Sequence, residues 1–132
     1  MTARCCADAS ALVALLVDGG VDGRWAAGVL AGAELVAPEL VRFEGANILR
    51  RLELAGLLSA DQAVQAHADL LDLDIEGWPY DLVAPRAWEL RRNLSIYDAT
   101  YVAVAEVTGS TLVTLDRRLG GAPSLRCAVV VP

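Results

Sequence analysis

Short apolar runs alternate with longer amphipathic segments along the chain, a pattern that predicts alternating strands and helices. The apolar runs predict strands at residues 3–8, 34–38, 73–78, 111–114 and 127–131. The amphipathic segments predict helices at residues 10–18, 21–31, 39–55, 60–71, 81–92, 96–107 and 117–119. Strands that alternate with helices are typical of a parallel sheet with helices on both faces. We therefore predict a three-layer α/β/α fold with a central parallel sheet, formed as one domain by residues 1–132.

Four carboxylates fall where a predicted strand gives way to a helix or where that helix begins: Asp8, Glu44, Asp98 and Asp116. In an open parallel sheet these junctions lie along one edge, at the carboxyl ends of the strands, where ligands of this architecture bind. The four acids are therefore expected to converge on one pocket.

Each acid also has a structural explanation. Asp8 could be a turn residue at a strand end, and Asp116 could cap the short helix 117–119. Asp98 lies three residues after Ser95, where it could close a capping box. Glu44 is harder to explain in this way, because it shares a helical stripe with apolar residues, and a partly buried carboxylate is costly unless it is paired or metal-bound.

Together the four acids indicate a cation site. Two carboxylates about 4 Å apart repel by roughly 4 kcal/mol at an effective dielectric of 20, and four repel several times more. The candidate ligands are all oxygens, with Ser10 and Thr114 as neutral helpers and Asn47 as a polar neighbour of Glu44. Hard oxygen sites suit Mg²⁺ or Mn²⁺, and Mg²⁺ held through a few carboxylates suggests phosphodiester hydrolysis.

The net charge of −6 argues against binding nucleic acid through a general positive field, so any such contact must be local. The chain contains no lysine, and its eleven basic residues are all arginine. Three arginine pairs are candidates for contacts with RNA phosphates or for solvated helix surface: Arg50 and Arg51, Arg91 and Arg92, and Arg117 and Arg118.

The remaining composition bounds the setting of the protein. A hydrophobic content of 55% is ample for a core and suggests that some surface is shared with a partner. No apolar run is long enough for a membrane span, and no signal peptide is evident, so a cytoplasmic protein is expected. Cys5, Cys6 and Cys127 lack metal-binding spacing and are interpreted as buried small hydrophobic residues.

Four segments carry a family resemblance. They are D-A-S (8–10), E-G-A-N-I-L-R-R (44–51), S-I-Y-D-A-T-Y-V-A-V-A-E (95–106) and T-L-V-T-L-D-R-R-L (111–119). They resemble the four acidic motifs of PIN-domain ribonucleases, and their order and spacing are most similar to the VapC toxins of bacterial toxin–antitoxin pairs. The Cys- and Ala-rich first strand departs from a clean Val/Ile/Leu run.

The resemblance implies that Asp8, Glu44, Asp98 and Asp116 hold Mg²⁺ or Mn²⁺ for hydrolysis of transfer, ribosomal or messenger RNA. It also implies a homodimer that is silenced by a VapB-like antitoxin, with promoter DNA bound only through that antitoxin. We expect the partner surface at outer apolar positions on and beside the helices 39–55 and 60–71: Leu54, Leu57, Leu58, Val64 and Leu70.

Other chemistries fit less well. The only histidine, His67, lies in the middle of a predicted helix, which disfavours histidine-dependent catalysis. The aromatic residues Trp25, Trp78, Trp88, Tyr97 and Tyr101 have the spacing of core or interface positions rather than of a base-stacking platform. Two alternatives remain, a non-catalytic partner-binding module and a receiver-like signalling domain, although the latter requires a lysine that this chain lacks.

Overall fold

Five strands form a parallel sheet in this computed structural model, which describes residues 3–132. They are β1 (Arg4–Ala7), β2 (Glu34–Pro38), β3 (Ile75–Trp78), β4 (Thr111–Val113) and β5 (Val129–Val130). The strand order is β3-β2-β1-β4-β5, so the chain builds the sheet outward from β1 in one direction and then in the other. Such a reversal opens a crevice at the carboxyl ends of the two strands beside it, here β1 and β4.

Helices cover both faces of this sheet, which confirms the three-layer α/β/α fold with a central parallel sheet. They are α1 (Ala9–Val17), α2 (Val21–Leu30), α3 (Val41–Leu54), α4 (Ala60–Asp72), α5 (Ala84–Glu89), α6 (Ile96–Thr108) and α7 (Arg117–Gly120). Helix α6 packs across β1, β2 and β4 and carries α5 on its outer side, whereas α1 packs with α2, α3 and α4. No helix within residues 3–132 is both long and apolar enough to cross a membrane.

The central strand β1 is buried on both of its faces. Cys6 is aligned with Val36 of β2 on one side and with Leu112 of β4 on the other. Cys5 and Cys6 point to opposite faces of the sheet, yet both are buried, because helices cover each face. Their interpretation as buried small residues is therefore confirmed, whereas Cys127 is only half-buried.

The predicted helix 81–92 was wrong in its extent. The structure has a short 3-10 helix at Tyr80–Leu82, followed by the separate helix α5. Pro85 lies in the first turn of α5, where its missing N–H leaves no hydrogen bond unmade. The proline therefore begins a new helix instead of lying inside a longer one.

The apolar positions of α3 and α4 were also predicted incorrectly in part. Leu70 is fully buried, because its side chain packs on Gly45 of α3, where a Cβ atom would lie 2.8 Å from the leucine Cδ2. Leu58 is half-buried. Leu54, Leu57 and Val64 are exposed, as expected.

One ion pair fastens the segment after β4 to the helical layer. The Arg86 guanidinium donates to the Glu106 carboxylate from Nε at 2.7 Å and to the backbone carbonyl of Ser124 at 2.7 Å. Glu106 also accepts the backbone N–H of Arg126 at 2.7 Å, and its side chain is only 9% exposed. The pair thus anchors residues 124–126, at the far end of the segment that carries Asp116.

Replacement of Arg86 tests this anchor. Arg86→Ala is expected to lower the free energy of unfolding by about 2–3 kcal/mol, because it leaves the nearly buried Glu106 carboxylate without its cation. The matched control is Arg4→Ala, whose partner Glu34 lies at 3.7 Å in an exposed pair. That control should change stability by no more than about 0.5 kcal/mol. Urea unfolding of both variants measures the difference, and equal losses would contradict the anchoring role.

Candidate active site

The four carboxylates line one pocket of about 450 Å³ at the carboxyl ends of β1 and β4. Asp8 follows β1, Asp116 follows β4, and Glu44 and Asp98 lie in the first turns of α3 and α6. The rest of the lining consists of Ala9, Ser10, Asn47, Ile48, Arg51, Tyr101 and Leu115. For Asp8, Glu44 and Asp116 the convergence follows from the topology, since β1, β2 and β4 end at the same edge of the sheet. Asp98 differs from the prediction, because α6 follows the turn after α5 and not a strand.

Asp8 is at once the N-cap of α1 and the centre of a hydrogen-bond network. Its Oδ1 accepts the backbone N–H of Ala11 at 3.0 Å and the Ser10 hydroxyl at 2.6 Å. Its Oδ2 accepts the hydroxyl of Thr114, which is fully buried at the end of β4. The carboxylate is therefore fixed in orientation by donors from two separate elements.

The two hydroxyls also position the segment after β4. The Ser10 Oγ accepts the backbone N–H of Leu115 at 3.2 Å, and the Thr114 Oγ1 accepts that of Asp116 at 3.0 Å. Each hydroxyl donates to Asp8 and accepts from the backbone, so its proton direction is fixed by both neighbours. Asp8 is therefore linked to Leu115 through Ser10 and to Asp116 through Thr114, and both hydroxyls contact the Asp8 carboxylate.

Glu44 is held by a residue that sequence reasoning had not included in the site. The Tyr101 hydroxyl donates to Glu44 Oε1 at 2.6 Å, which joins α6 to α3 across the pocket. Tyr101 is only 3% exposed, and a buried phenol requires a hydrogen-bond partner. Its position three residues after Asp98 on the same helix places both side chains on one face, and this spacing was the available signal.

Asp98 and Asp116 combine a helix-terminal position with a place in the pocket. Ser95 caps α6 by accepting the backbone N–H of Asp98 at 3.1 Å, while the Asp98 carboxylate lines the pocket. Asp116 caps α7 by accepting the backbone N–H of Arg118 at 3.0 Å. Its carboxylate also receives the Arg118 guanidinium, with Nη2 at 2.8 Å from Oδ2. For Asp116 the capping explanation and the pocket explanation both hold, whereas Asp98 does not close a capping box with Ser95.

The electrostatics of the pocket disfavour ionised carboxylates. Burial raises the pKa of Asp8, the hydrogen bonds from its hydroxyl and backbone donors offset part of that rise, and the charge of Asp116 adds to it. Burial likewise raises the pKa of Glu44 and of Asp98, and the charges of neighbouring acids raise both further. Asp116 differs, because its hydrogen bond with the Arg118 side chain lowers its pKa.

The donor set fits a hard divalent cation but is not assembled around one. All the pocket donors are oxygens, and the sole histidine, His67, is exposed on α4. Within the described part of the chain, no three Asp, Glu, His or Cys side chains are grouped closely enough to enclose a metal ion. Asp8, Glu44 and Asp116 instead point to a hydroxyl pair, a phenol and a guanidinium respectively.

The candidate arginines lie at different distances from the acids. Arg51 lines the pocket, and Arg118 contacts Asp116. Arg91 stacks over the Trp88 ring at 4.5 Å from its centroid. The other three candidates are exposed and lie outside the lining of the acidic pocket: Arg50, Arg92 and Arg117.

The aromatic residues also divide into two groups. Tyr101 is buried, and Trp25 and Trp78 pack against the core while partly exposed. Trp88 and Tyr97 are exposed and are not core residues.

Comparison with known proteins places this pocket in a family context. The PIN domain profile matches residues 5–123. Ribonuclease VapC9 of Mycobacterium tuberculosis is 39% identical over 124 residues, which cover 94% of each chain. Among solved structures, PAE2754 from Pyrobaculum aerophilum superposes with a TM-score of 0.69 at 27% identity, over 96% of this chain and 83% of that one. VapBC2 from Rickettsia felis, solved with a fragment of its promoter DNA, shares the fold with a TM-score of 0.68 at 14% identity, over 97% and 98% of the two chains.

The raised carboxyl pKa values predict an unusual stability change. Asp98→Asn is expected to raise the melting temperature of the metal-free protein at pH 7, because it removes a carboxyl group whose ionisation is disfavoured by burial and by Asp116 and Asp8. A raised folded-state pKa means that stability falls as pH rises above the ordinary carboxyl range, so the advantage of the variant should shrink toward pH 4. Differential scanning fluorimetry between pH 4 and pH 7, in excess chelator, measures both effects.

The control for that experiment is Glu53→Gln, which alters an exposed carboxylate of α3 outside the pocket lining. It should leave the melting temperature almost unchanged at both pH values. A fall in stability of Asp98→Asn at pH 7 would show that the favourable helix-terminal position of Asp98 outweighs the repulsion.

Proposed function

The chain belongs to the PIN-domain family, among the VapC ribonucleases, and from that premise we propose that it is a metal-dependent endoribonuclease and the toxin of a VapBC pair. The observation that carries the proposal is the convergence of Asp8, Glu44, Asp98 and Asp116 on one pocket. The topology brings these positions to one edge of the sheet but does not require an acid at each of them, whereas a divalent cation does.

The four carboxylates would hold Mg²⁺ or Mn²⁺. A cation of this kind, when bound, lowers the pKa of a coordinated water and neutralises charge on the phosphodiester. Three features of the chain support such binding: an all-oxygen donor set, carboxyl pKa values raised by burial and mutual repulsion, and an open pocket. The same repulsion that disfavours the cation-free acids favours their binding of a divalent ion.

The surrounding residues position these acids. The relays through Ser10 and Thr114 fix the orientation of Asp8, and Tyr101 fixes that of Glu44. Asn47 adds a neutral polar group to the lining. The protein thereby presents carboxylate oxygens whose geometry is determined before substrate arrives, which limits reorganisation during the reaction.

RNA would be held by local arginines, since the overall charge is −6. Arg51 in the pocket lining and Arg118 beside Asp116 are the best placed of the six candidates. Arg50, Arg91, Arg92 and Arg117 lie outside the pocket lining, which favours their interpretation as solvated helix surface. The guanidinium group suits RNA binding because it binds phosphate through two parallel hydrogen bonds.

An apolar groove beside the acids supports the proposed antitoxin. It shares Ser10, Ile48, Arg51 and Leu115 with the acidic pocket. It continues between α1 and α3 along Val13, Ala14, Val17, Leu52, Leu57 and Leu58. We propose that a VapB-like segment with an apolar helix face lies in this groove and places a cationic side chain on the acids, while promoter DNA contacts only the antitoxin.

Homodimerisation is proposed through the remaining exposed apolar side chains. Leu54 and Val64 are exposed on α3 and α4, two helices that pack against each other, and exposed apolar surface is typical of protein interfaces.

The catalytic proposal predicts that the acids are indispensable. Asp98→Asn and Glu44→Gln should each lower the rate of RNA cleavage in Mg²⁺ or Mn²⁺ at least a hundredfold, by the order of about 3 kcal/mol in transition-state stabilisation. Wild-type activity should also disappear in chelator. Cleavage of total RNA by the purified variants, each checked for folding by circular dichroism, is the measurement.

Glu53→Gln is again the matched control, since it removes one carboxylate from α3 without touching the pocket. It should cleave RNA at the wild-type rate. Near-normal cleavage by folded Asp98→Asn would refute the assignment of the acids and favour a non-catalytic partner-binding role.

The antitoxin proposal predicts competition between inhibitor and metal. A VapB-like protein encoded beside this chain should co-purify with it, and increasing Mn²⁺ should restore cleavage by the complex because both occupy the acids. Leu57→Asp, at an exposed position in the apolar groove, should weaken the complex without reducing cleavage by the free toxin. Inhibition that is insensitive to both Mn²⁺ and Leu57→Asp would contradict this arrangement.

A further inference from the structure

Arg118 forms a bidentate ion pair with one of the proposed metal ligands. Its Nε lies 3.0 Å from Asp116 Oδ1 and its Nη2 lies 2.8 Å from Asp116 Oδ2, so both carboxylate oxygens are engaged. Oδ1 also accepts the Arg118 backbone N–H. Within residues 3–132, Asp116 is the only one of the acidic pocket's four carboxylates that forms an ion pair.

This ion pair has bidentate geometry but is exposed to solvent. The Arg118 side chain is 88% exposed, and that of Asp116 is 28% exposed. Exposed ion pairs contribute little to stability, because water screens the attraction and the long side chain loses conformational freedom. The Arg118 side chain can therefore leave Asp116 at small cost when a stronger cation arrives.

Arg118 also lines a second groove that adjoins the acidic pocket. Asp98 and Asp116 line both the acidic pocket and this second groove, which continues along Asn93, Leu94, Ser95, Arg118, Leu119, Ala122 and Pro123. An arginine released from Asp116 remains in the wall of this second groove, because its backbone is fixed in α7. A polar groove that ends at two acids and carries one guanidinium suits an RNA strand whose scissile phosphate reaches the acids.

We propose that Arg118 is an exchangeable counter-ion: it neutralises Asp116 before metal binds, yields that carboxylate to the divalent cation, and then binds an RNA phosphate in the second groove. The proposal rests on the proposed function, since it requires both a metal at the acids and RNA as substrate. The Arg118 side chain therefore has two opposite effects: it opposes metal binding and favours RNA binding.

The neighbouring Arg117 provides a matched control. It lies on the same short helix, carries the same charge and is exposed, yet it lines neither groove. Arg117→Ala therefore removes the same formal charge from α7 without breaking the contact with Asp116. A second variant, Arg118→Lys, retains the charge and removes the bidentate geometry.

The metal arm of the test is isothermal titration of Mn²⁺ into the RNA-free protein. Arg118→Ala is expected to bind Mn²⁺ about two- to fivefold more tightly than wild type, the range that the loss of a competing exposed ion pair allows. Arg117→Ala should remain close to wild type, and Arg118→Lys should lie between them. Equal or weaker Mn²⁺ binding by Arg118→Ala, relative to Arg117→Ala, would overturn the exchange.

The RNA arm measures affinity for a single-stranded RNA oligonucleotide in Ca²⁺ at several salt concentrations. Arg118→Ala should bind RNA more weakly than Arg117→Ala, and its salt dependence should decrease by about 0.7 in log–log slope, as expected for one lost phosphate contact on a single strand. Identical affinities and slopes for the two variants would overturn the phosphate-binding role.

The two arms separate failure of this inference from failure of the proposed function. Asp98→Asn is expected to bind no Mn²⁺. If the wild-type protein also binds none, the result contradicts the metal site itself and with it the exchange. Wild type that binds Mn²⁺ and RNA, with Arg118→Ala equal to Arg117→Ala in both arms, would contradict only the role of Arg118. Misfolding of a variant would lower its affinity for both Mn²⁺ and RNA. It cannot produce tighter Mn²⁺ binding together with weaker RNA binding.

Discussion

Repulsion among four carboxylates at one edge of the sheet is the constraint on which the rest of the structure depends. The strand order places the ends of β1 and β4 beside each other, and α3 and α6 bring two further acids to the same pocket. Burial and mutual charge raise the pKa of Asp8, Glu44 and Asp98, so the folded chain keeps these groups together against an electrostatic cost. Apolar residues packed on both faces of β1 provide the folding free energy that offsets this electrostatic cost.

The protein limits this repulsion by giving its acids different neutral or cationic donors. Hydroxyls and a backbone N–H engage Asp8, a phenol engages Glu44, and a guanidinium engages Asp116. These donors orient the carboxylates but leave the total negative charge of the pocket largely uncompensated, since among the described residues only Arg118 forms an ion pair with any of them. A divalent cation and a cationic side chain of an inhibitor would each neutralise this negative charge. The proposed activity and the proposed inhibition therefore depend on one physical property.

Much of the fold could be predicted from the sequence, because the alternation of apolar strands and amphipathic helices is strong and three of the four acids follow strand ends. The boundaries around Pro85 could not, since a proline that interrupts a helix and one that begins a new helix look alike in the periodicity. Leu70 was placed on the wrong face because the close approach of α4 to Gly45 depends on tertiary packing.

Within the site, the placement of acids near strand ends and helix starts predicted which carboxylates line the pocket. The hydrogen-bond partners of those carboxylates were harder to predict from the sequence. Tyr101 was assigned only to the core or an interface, although it also binds Glu44, and its spacing from Asp98 was the only local indication. The bidentate contact of Arg118 with Asp116 depends on the cap of α7, so sequence spacing alone could not distinguish Arg118 from Arg117.

The central claim is that these acids form a divalent metal site, and metal-dependent thermal stability tests it most directly. The melting temperature of the wild-type protein should rise steadily with Mn²⁺ concentration, because the ion binds only the folded pocket and adds about 2.7 kcal/mol at 100 times its dissociation constant. Glu44→Gln should respond much less at the same concentrations. A wild-type melting temperature that ignores both Mn²⁺ and Mg²⁺ up to millimolar concentrations would contradict the account.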